Sequence, residues 1–275
     1  MDIRPVSTAE ECRQVTALER EVWAYADAEE IPSWMLAVSV RRGAILIGAF
    51  DPGGGLTGFV YSVPAIKDRQ LTQWSHALAV RASERGNGVG RFLKLEQRNA
   101  ALELGVDLIE WTFDPLQVVN AHFNFARLGA IATAYEENVY GESTSPLHGG
   151  VPTDRLLLEW HLTRPHVERR VSRAGHPVVR ADSLASAVLV NPPGTNAGRL
   201  SPGRADLSVD ACRVLVEVPG GFSGMLADDL PLARAWRLHI REILQAYLGR
   251  GYQGVDFFLS PDAQRGQYLL VSPVA

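Results

Sequence analysis

Apolar and polar positions change rhythm along this chain, and each change marks an element. Ile3-Arg4-Pro5-Val6 suits one short strand. Thr8-Ala9-Glu10-Glu11 reads as a capping box, with Ser7 or Thr8 at the cap and acids in the first helical turn. Leu18, Val22 and Trp23 continue an apolar face at helical spacing. Pro32, followed by Trp34, Met35 and Val38, predicts a second short helix opened by a proline. Ala44 to Phe50 and Leu56 to Val63 are rich in β-branched and aromatic residues and read as strands. The run Asp51-Pro52-Gly53-Gly54-Gly55 between them is a hairpin turn rather than a phosphate cradle.

Trp74 to Val80 is a third long strand. Val89 to Leu104 is a helix, with Val89, Phe92, Leu93, Ala100 and Leu104 as its apolar face and Gly105 as its stop. Val106 to Phe113 returns to strand. Val118 to Leu128 is a helix closed by Gly129, and Ile131 to Tyr135 and Arg155 to His161 are strands. Interleaved strands and helices of this kind predict a mixed α/β (α+β) fold around one central sheet.

After Leu162 the texture loosens. Residues 163–207 hold five prolines and scattered arginines, and read as a linker or arm with one short strand at Ser186 to Val190. Residues 208–275 read as a small α+β region. Cys212 to Val218 is its first strand. Leu232, Trp236, Ile240, Ile243, Leu244, Tyr247 and Leu248 form one helical face, and Val255 to Leu259 with Gln267 to Val271 form a closing hairpin. The Trp236 face must bury against its own hairpin or against another subunit, so a homodimer is one reading of this region.

Composition narrows the class. With 275 residues, 46% hydrophobic and 21% charged, the chain has the material for an ordinary core. A net charge of −4 brings no basic excess to neutralise phosphates, so nucleic acid is not an expected partner. Cys12 and Cys212 stand too far apart for a CxxC pair, and the seven histidines show no zinc spacing with them, so no metal is expected. The N-terminus is charged at once, and no apolar run approaches a spanning helix. The expectation is a cytoplasmic protein without a membrane partner.

The stretch that carries chemistry is Arg85-Gly86-Asn87-Gly88-Val89-Gly90. It joins a strand to a helix through glycines, where unpaired N–H groups and the positive end of the helix dipole favour an anion. A phosphate or pyrophosphate site is the physical prediction. A Walker A loop would need Gly-Lys-Ser/Thr where Gly90-Arg91-Phe92 stands, and a Rossmann fingerprint would need glycine at Arg91. Neither fits. The pattern Arg-x-x-Gly-x-Gly, at Arg85, Gly88 and Gly90, resembles the pyrophosphate loop of the GNAT N-acetyltransferase superfamily. The strand before it, the helix after it and the later Leu128-Gly129-Ala130 strengthen that resemblance, which covers residues 1–162. Trp111 to Leu116, Asn120 to Asn124, Tyr140-Gly141 and Thr153-Asp154-Arg155 resemble a subgroup of longer predicted acetyltransferases with a C-terminal extension. Ala233 to Arg237 and Gly251-Tyr252 fit it as well.

The resemblance implies a GNAT acyltransferase domain over residues 1–162. Its fourth and fifth strands would splay to admit the pantetheine of acetyl-CoA or another acyl-CoA, with succinyl-CoA and amino-acid acceptors as candidates. It implies backbone contacts to that arm from Leu78, Ala79 and Val80. The pyrophosphate would rest on Arg85, Gly86, Asn87, Gly88, Val89 and Gly90, and amide contacts would come from Asn120 and Asn124. The implied reaction is direct acyl transfer to the amine of a small molecule. Acetylation of a protein N-terminus or lysine, and a CoA-binding module without turnover, are the rivals.

Direct transfer needs a base for the amine, donors for the oxyanion and a proton for the thiolate. His76, on the strand entering the loop, has the free pKa for a base at neutral pH. Glu110 and Asp114 compete with it, since strand alternation puts them with Thr112 on one face of the next strand. The family's usual acid is a tyrosine four residues before the glycine of its second motif, and counting back from Gly129 gives Phe125. Tyr140, Tyr135 or water would have to replace it. Arg155 is a candidate clamp for a carboxylate on the acceptor or on a succinyl group, or else the partner of Asp154 in a structural pair.

Overall fold

The computed structural model describes residues 1–23, 30–141, 150–172, 186–196 and 198–273. They pack into two compact units. The first comprises Met1–Trp111 with His161–Thr163, and the second takes in the rest of the described chain from Thr112 onward.

The first unit begins with β1 (Asp2–Pro5) and α1 (Ala9–Trp23). The capping box forms as the sequence predicts. The Thr8 hydroxyl accepts the Glu11 N–H at 3.1 Å, and the Glu11 carboxylate accepts the N–H groups of Ser7 and Thr8 at 2.8 and 3.1 Å. Next come α2 (Ser33–Val40), β2 (Ile45–Phe50), β3 (Leu56–Lys67) and β4 (Gln70–Val80). The Asp51–Gly55 run is the expected turn, with the Asp51 carboxylate accepting the N–H groups of Gly53 and Gly55. α3 (Val89–Glu103) and β5 (Leu108–Phe113) follow, and the unit keeps β5 through Trp111. The strand order is β1-β2-β3-β4-β5, antiparallel except between β4 and β5.

Helices cover both faces of this sheet, which explains why β2 is buried along its whole length. α1 and α2 cover the face bearing Leu46, Phe50, Phe59 and Tyr61. α3 covers the other face, where Val89 and Leu93 come against Gly58 so closely that a Cβ there would meet both. The inner face of α3 differs from the apolar face predicted. Phe92 and Leu104 are exposed, whereas Lys94 and Gln97 are buried beside Val89, Leu93 and Ala101. The reason is a polar spot on β4: Gln97 donates to the Ser75 hydroxyl at 3.0 Å, and Lys94 reaches Ser75 and Gln97 at 3.2 and 2.8 Å.

The second unit holds α4 (Val118–His122), which widens into a π-helical turn over Phe123–Leu128, where the sequence suggests one continuous α-helix. It continues with β6 (Ile131–Glu136), β7 (Arg155–His161), α5 (Pro165–Ser172), β8 (Val188–Leu189), β9 (Gly194–Asn196), β10 (Arg199–Ser201) and β11 (Arg213–Pro219). Then come α6 (Phe222–Asp228), α7 (Leu230–Gly249), β12 (Gln253–Leu259) and β13 (Arg265–Val271). Its main sheet runs β7-β6-β12-β13-β11-β8, and β9 and β10 form a separate hairpin.

Two expectations change here. The arm at 163–207 is not uniformly irregular: α5 buries Val167, and β8 pairs with β11, while residues 173–185 and 197 lie outside the described residues. The Trp236 face of α7 needs no second subunit, because Trp236, Ile240, Ile243, Leu244 and Tyr247 are buried by the chain itself. The Trp236 indole donates to the Leu200 carbonyl at 3.2 Å, and the Tyr247 hydroxyl donates to the Val209 carbonyl at 3.1 Å.

Two arginines one turn apart pin α7 to the strands and loops of its unit. Arg237 grips Asp114 with both terminal nitrogens, at 2.8 and 2.7 Å, and Arg241 holds Asp154 at 2.9 and 2.7 Å. Burial alone would raise the Asp114 pKa, but the Arg237 charge and hydrogen bonds outweigh it and hold the carboxyl below its ordinary value. The pair therefore contributes its full stability above the unfolded carboxyl pKa and loses it as pH falls through the depressed folded value. Arg237→Met, which strands the buried Asp114 charge, should cost about 3–5 kcal/mol in urea unfolding at neutral pH. Adding Asp114→Leu should recover most of that loss, and the single variant's deficit should shrink in acid.

Candidate active site

Each unit holds part of the predicted site. In the first, β4 delivers the chain into the glycine loop. β4 pairs with β3 in register from Lys67↔Gln70 to Gly58↔Val80, with one break: Tyr61 faces Ala77, and Ser62 faces Ser75. His76 is the extra residue of a β-bulge. The parallel ladder between β4 and β5 holds Gln73 to Ile109 and Trp74 to Glu110 and stops there, just before the bulge. Beyond it Leu78, Ala79 and Val80 remain paired to β3, at Val60, Phe59 and Gly58.

Past Val80 the chain turns through a single 3-10 turn (Ala82–Glu84) into Arg85–Gly90. Gly86 and Gly88 adopt the left-handed region, at φ 85° and 81°, which only glycine enters without strain. A Cβ on Gly86 would meet nothing within 4 Å, so the space above the loop is open. Gly88 is the N-cap of α3 and supplies no side-chain cap, and the first turn carries no acid. The leading N–H groups of a 15-residue helix thus face an exposed loop, ready for an anion. Arg85 works partly on the loop itself: its Nε donates to the Val80 carbonyl at 3.0 Å. Gly90 lies against Val80 and Leu78, and Asn87 is exposed.

His76 is exposed, with its ring edge on Tyr61 at a centroid distance of 6.1 Å. Although part of the ring is open to solvent, desolvation where it packs on the protein lowers its pKa, which favours the neutral, proton-accepting form at neutral pH. Glu110 is differently placed. It is buried, pairs with Lys67 at 2.7 Å and accepts from the Thr72 hydroxyl at 3.5 Å. Lys94, which the sequence reading passed over, backs this strand pair: its ammonium sits 3.9 Å from the Trp111 ring centroid, and burial brings its pKa down to about 7. Its sequence signal is a cation at an inward helical position, three residues before an inward Gln97.

In the second unit Asp114 is committed to Arg237, which leaves it a poor proton acceptor. Asn120 is exposed and Asn124 is buried. Phe125 is wholly buried, with ring edges against Phe113 at 6.1 Å and Tyr268 at 5.6 Å, so this position packs a core and donates no proton. Tyr135 donates to Asp154 at 2.7 Å; burial and that carboxylate push its pKa far up, which disqualifies it as an acid. Tyr140 is exposed, and the Arg155 guanidinium lies 4.9 Å from its ring centroid. Asp154 does not pair with Arg155; Arg241 takes it. Among the described residues the buried Arg155 Nε has no hydrogen-bond partner.

No protein-family model matches this sequence, and no curated protein does. Solved structures do resemble it. Several of them are acetyltransferases. One from Streptococcus pneumoniae, of the GNAT family, is 17% identical over 57% of this chain and 97% of its own, at a TM-score of 0.47. An aminoglycoside 6'-N-acetyltransferase complexed with coenzyme A is 18% identical over 60% and 99%, at 0.45. The ribosomal-protein-S18-alanine N-acetyltransferase of Escherichia coli is 13% identical over 65% and 99%, at 0.46. Likeness at this level assigns neither substrate nor mechanism to this chain.

The loop geometry predicts that Gly88→Trp abolishes binding of coenzyme A in calorimetry, while the strain of a side chain at φ 81° lowers the thermal transition by only a few degrees because the loop is exposed. Undiminished binding by the variant would remove the pyrophosphate from this loop.

Proposed function

We propose that this protein is a GNAT-type, acyl-CoA-dependent N-acyltransferase that acylates the amine of a small molecule directly. The reading rests on the bulge at His76. It coincides with the end of the β4–β5 ladder and is followed directly by an uncapped, glycine-lined helix N-terminus. In this reading the open backbone edge of β4 and the Arg85–Gly90 N–H groups hold the pantetheine and the pyrophosphate. The bound acyl-CoA supplies the activated acyl carbon. His76, neutral and exposed at the bulge, takes the proton of the attacking amine, alone or through one water. Glu110 and Asp114 serve structure, since each carboxylate is already engaged by a cation.

Water would return a proton to the leaving thiolate. Acetyl-CoA is the default donor and succinyl-CoA the alternative, with no metal required. A cytoplasmic location belongs to the same proposal; among the described residues no helix is long and apolar enough to cross a membrane. Phe125 favours a second reading, a CoA-binding module without turnover, because the family's usual acid is replaced there by a core residue.

The readings separate on thiol release from acetyl-CoA and succinyl-CoA over a panel of amino acids and small amines. Turnover is expected, with kcat/KM falling as pH drops through a pKa below the ordinary histidine value of about 6.5. His76→Gln should lower kcat about 10²- to 10⁴-fold and erase that limb, whereas Glu110→Gln should keep the profile. Coenzyme A binding without turnover on any amine would establish the module instead.

A further inference from the structure

α2 is apolar almost all round, yet it lies on the surface. Of its eight residues only Leu36 is fully buried, while Trp34 is 64% exposed and Val38 52%. A helix of that composition ordinarily has both sides covered. Trp34, Ala37, Val38 and Arg41 follow one another at helical spacing and, with Arg13 of α1, line an open cleft of about 350 Å³. Arg13 is already held by Glu10. The Arg41 side chain has no hydrogen bond or ion pair among the described residues.

We propose that this stripe is a homodimer interface in which two copies of α2 cross antiparallel about a two-fold axis at Ala37 and Val38. Such an interface is self-complementary, so whatever one end of the stripe offers, the other end must accept. The stripe meets that condition. Trp34 and Arg41 stand seven residues apart, roughly 10 Å along the axis, equidistant from its centre. Antiparallel crossing therefore sets each Arg41 guanidinium over the partner's Trp34 indole, the preferred aromatic face for a cation. Ala37 at the centre keeps the axes close. An anionic membrane fits less well, since the cleft offers one uncommitted cation on a chain of net charge −4. A small ligand fits less well, since beyond Arg41 the uncommitted polar group there is the Ser33 hydroxyl.

Two short helices with the first turns of α1 bury less than a standard interface, so association should be reversible and weak, with Kd of ~10–100 μM. Sedimentation velocity of the full chain from ~1 to ~300 μM, spanning that range, should show a monomer–dimer equilibrium. Trp34→Ala and Arg41→Glu should each weaken it at least ~10-fold, about the loss of one cation–π contact pair. The exchanged double variant Trp34→Arg/Arg41→Trp should restore it, because the pairing survives the swap. Ile66→Glu and Leu238→Glu, at other exposed apolar sites, should leave it unchanged. Circular dichroism checks that each variant is folded. A monomer at every concentration overturns the proposal, as does a dimer indifferent to Trp34→Ala. Binding of monomeric wild type to phosphatidylglycerol vesicles would assign the face to lipid and overturn it too. None of these readings depends on acyl transfer or coenzyme A.

Discussion

A single extra residue in β4 shapes the first unit. An antiparallel ladder tolerates one unpaired residue by bending and twisting the strand that carries it. β4 carries His76 in that way, and its parallel ladder with β5 ends just before it. Before the bulge β4 is an interior strand; after it, the backbone edge facing away from β3 is released. That geometry gives the proposed acyl-CoA site its opening, and it places the one exposed imidazole of the strand at the fork. The same strand runs on into the loop where two left-handed glycines uncover the start of α3. One defect in pairing and one helix terminus thus lie on a continuous stretch from His76 to Gly90.

Such an opening must be supported from behind, and the support is polar. Ser75, next to the bulge, meets Gln97 and Lys94 on the inner face of α3, and Lys94 in turn rests on Trp111. A buried ammonium is costly unless it is hydrogen-bonded, and here the hydroxyl, the amide and the ring face share that burden. The second unit uses the same device in stronger form. Asp114 and Asp154 are each clamped by an arginine of α7, and these pairs make the C-terminal helix part of the packing that holds β6 and the loop before β7. The acidic residues nearest in character to catalytic carboxylates are thereby spent on structure.

The sequence on its own determined much about this protein: the placement of most strands and helices (though not of α5, α6 or the β9–β10 hairpin), the Thr8 capping box, the Asp51–Gly55 turn and the glycine loop. All of these depend on residues close together in the chain, where periodicity, caps and left-handed positions leave local marks. Tertiary structure decided the rest, because the deciding partners are remote in sequence. Which side of α3 faces inward turned on Ser75, since a polar partner outweighed the pull of Phe92 and Leu104. The fate of the candidate carboxylates turned on Lys67, Arg237 and Arg241, up to 123 residues away. The bulge at His76 is a mismatch in register between two strands, and a register exists only once both strands are paired.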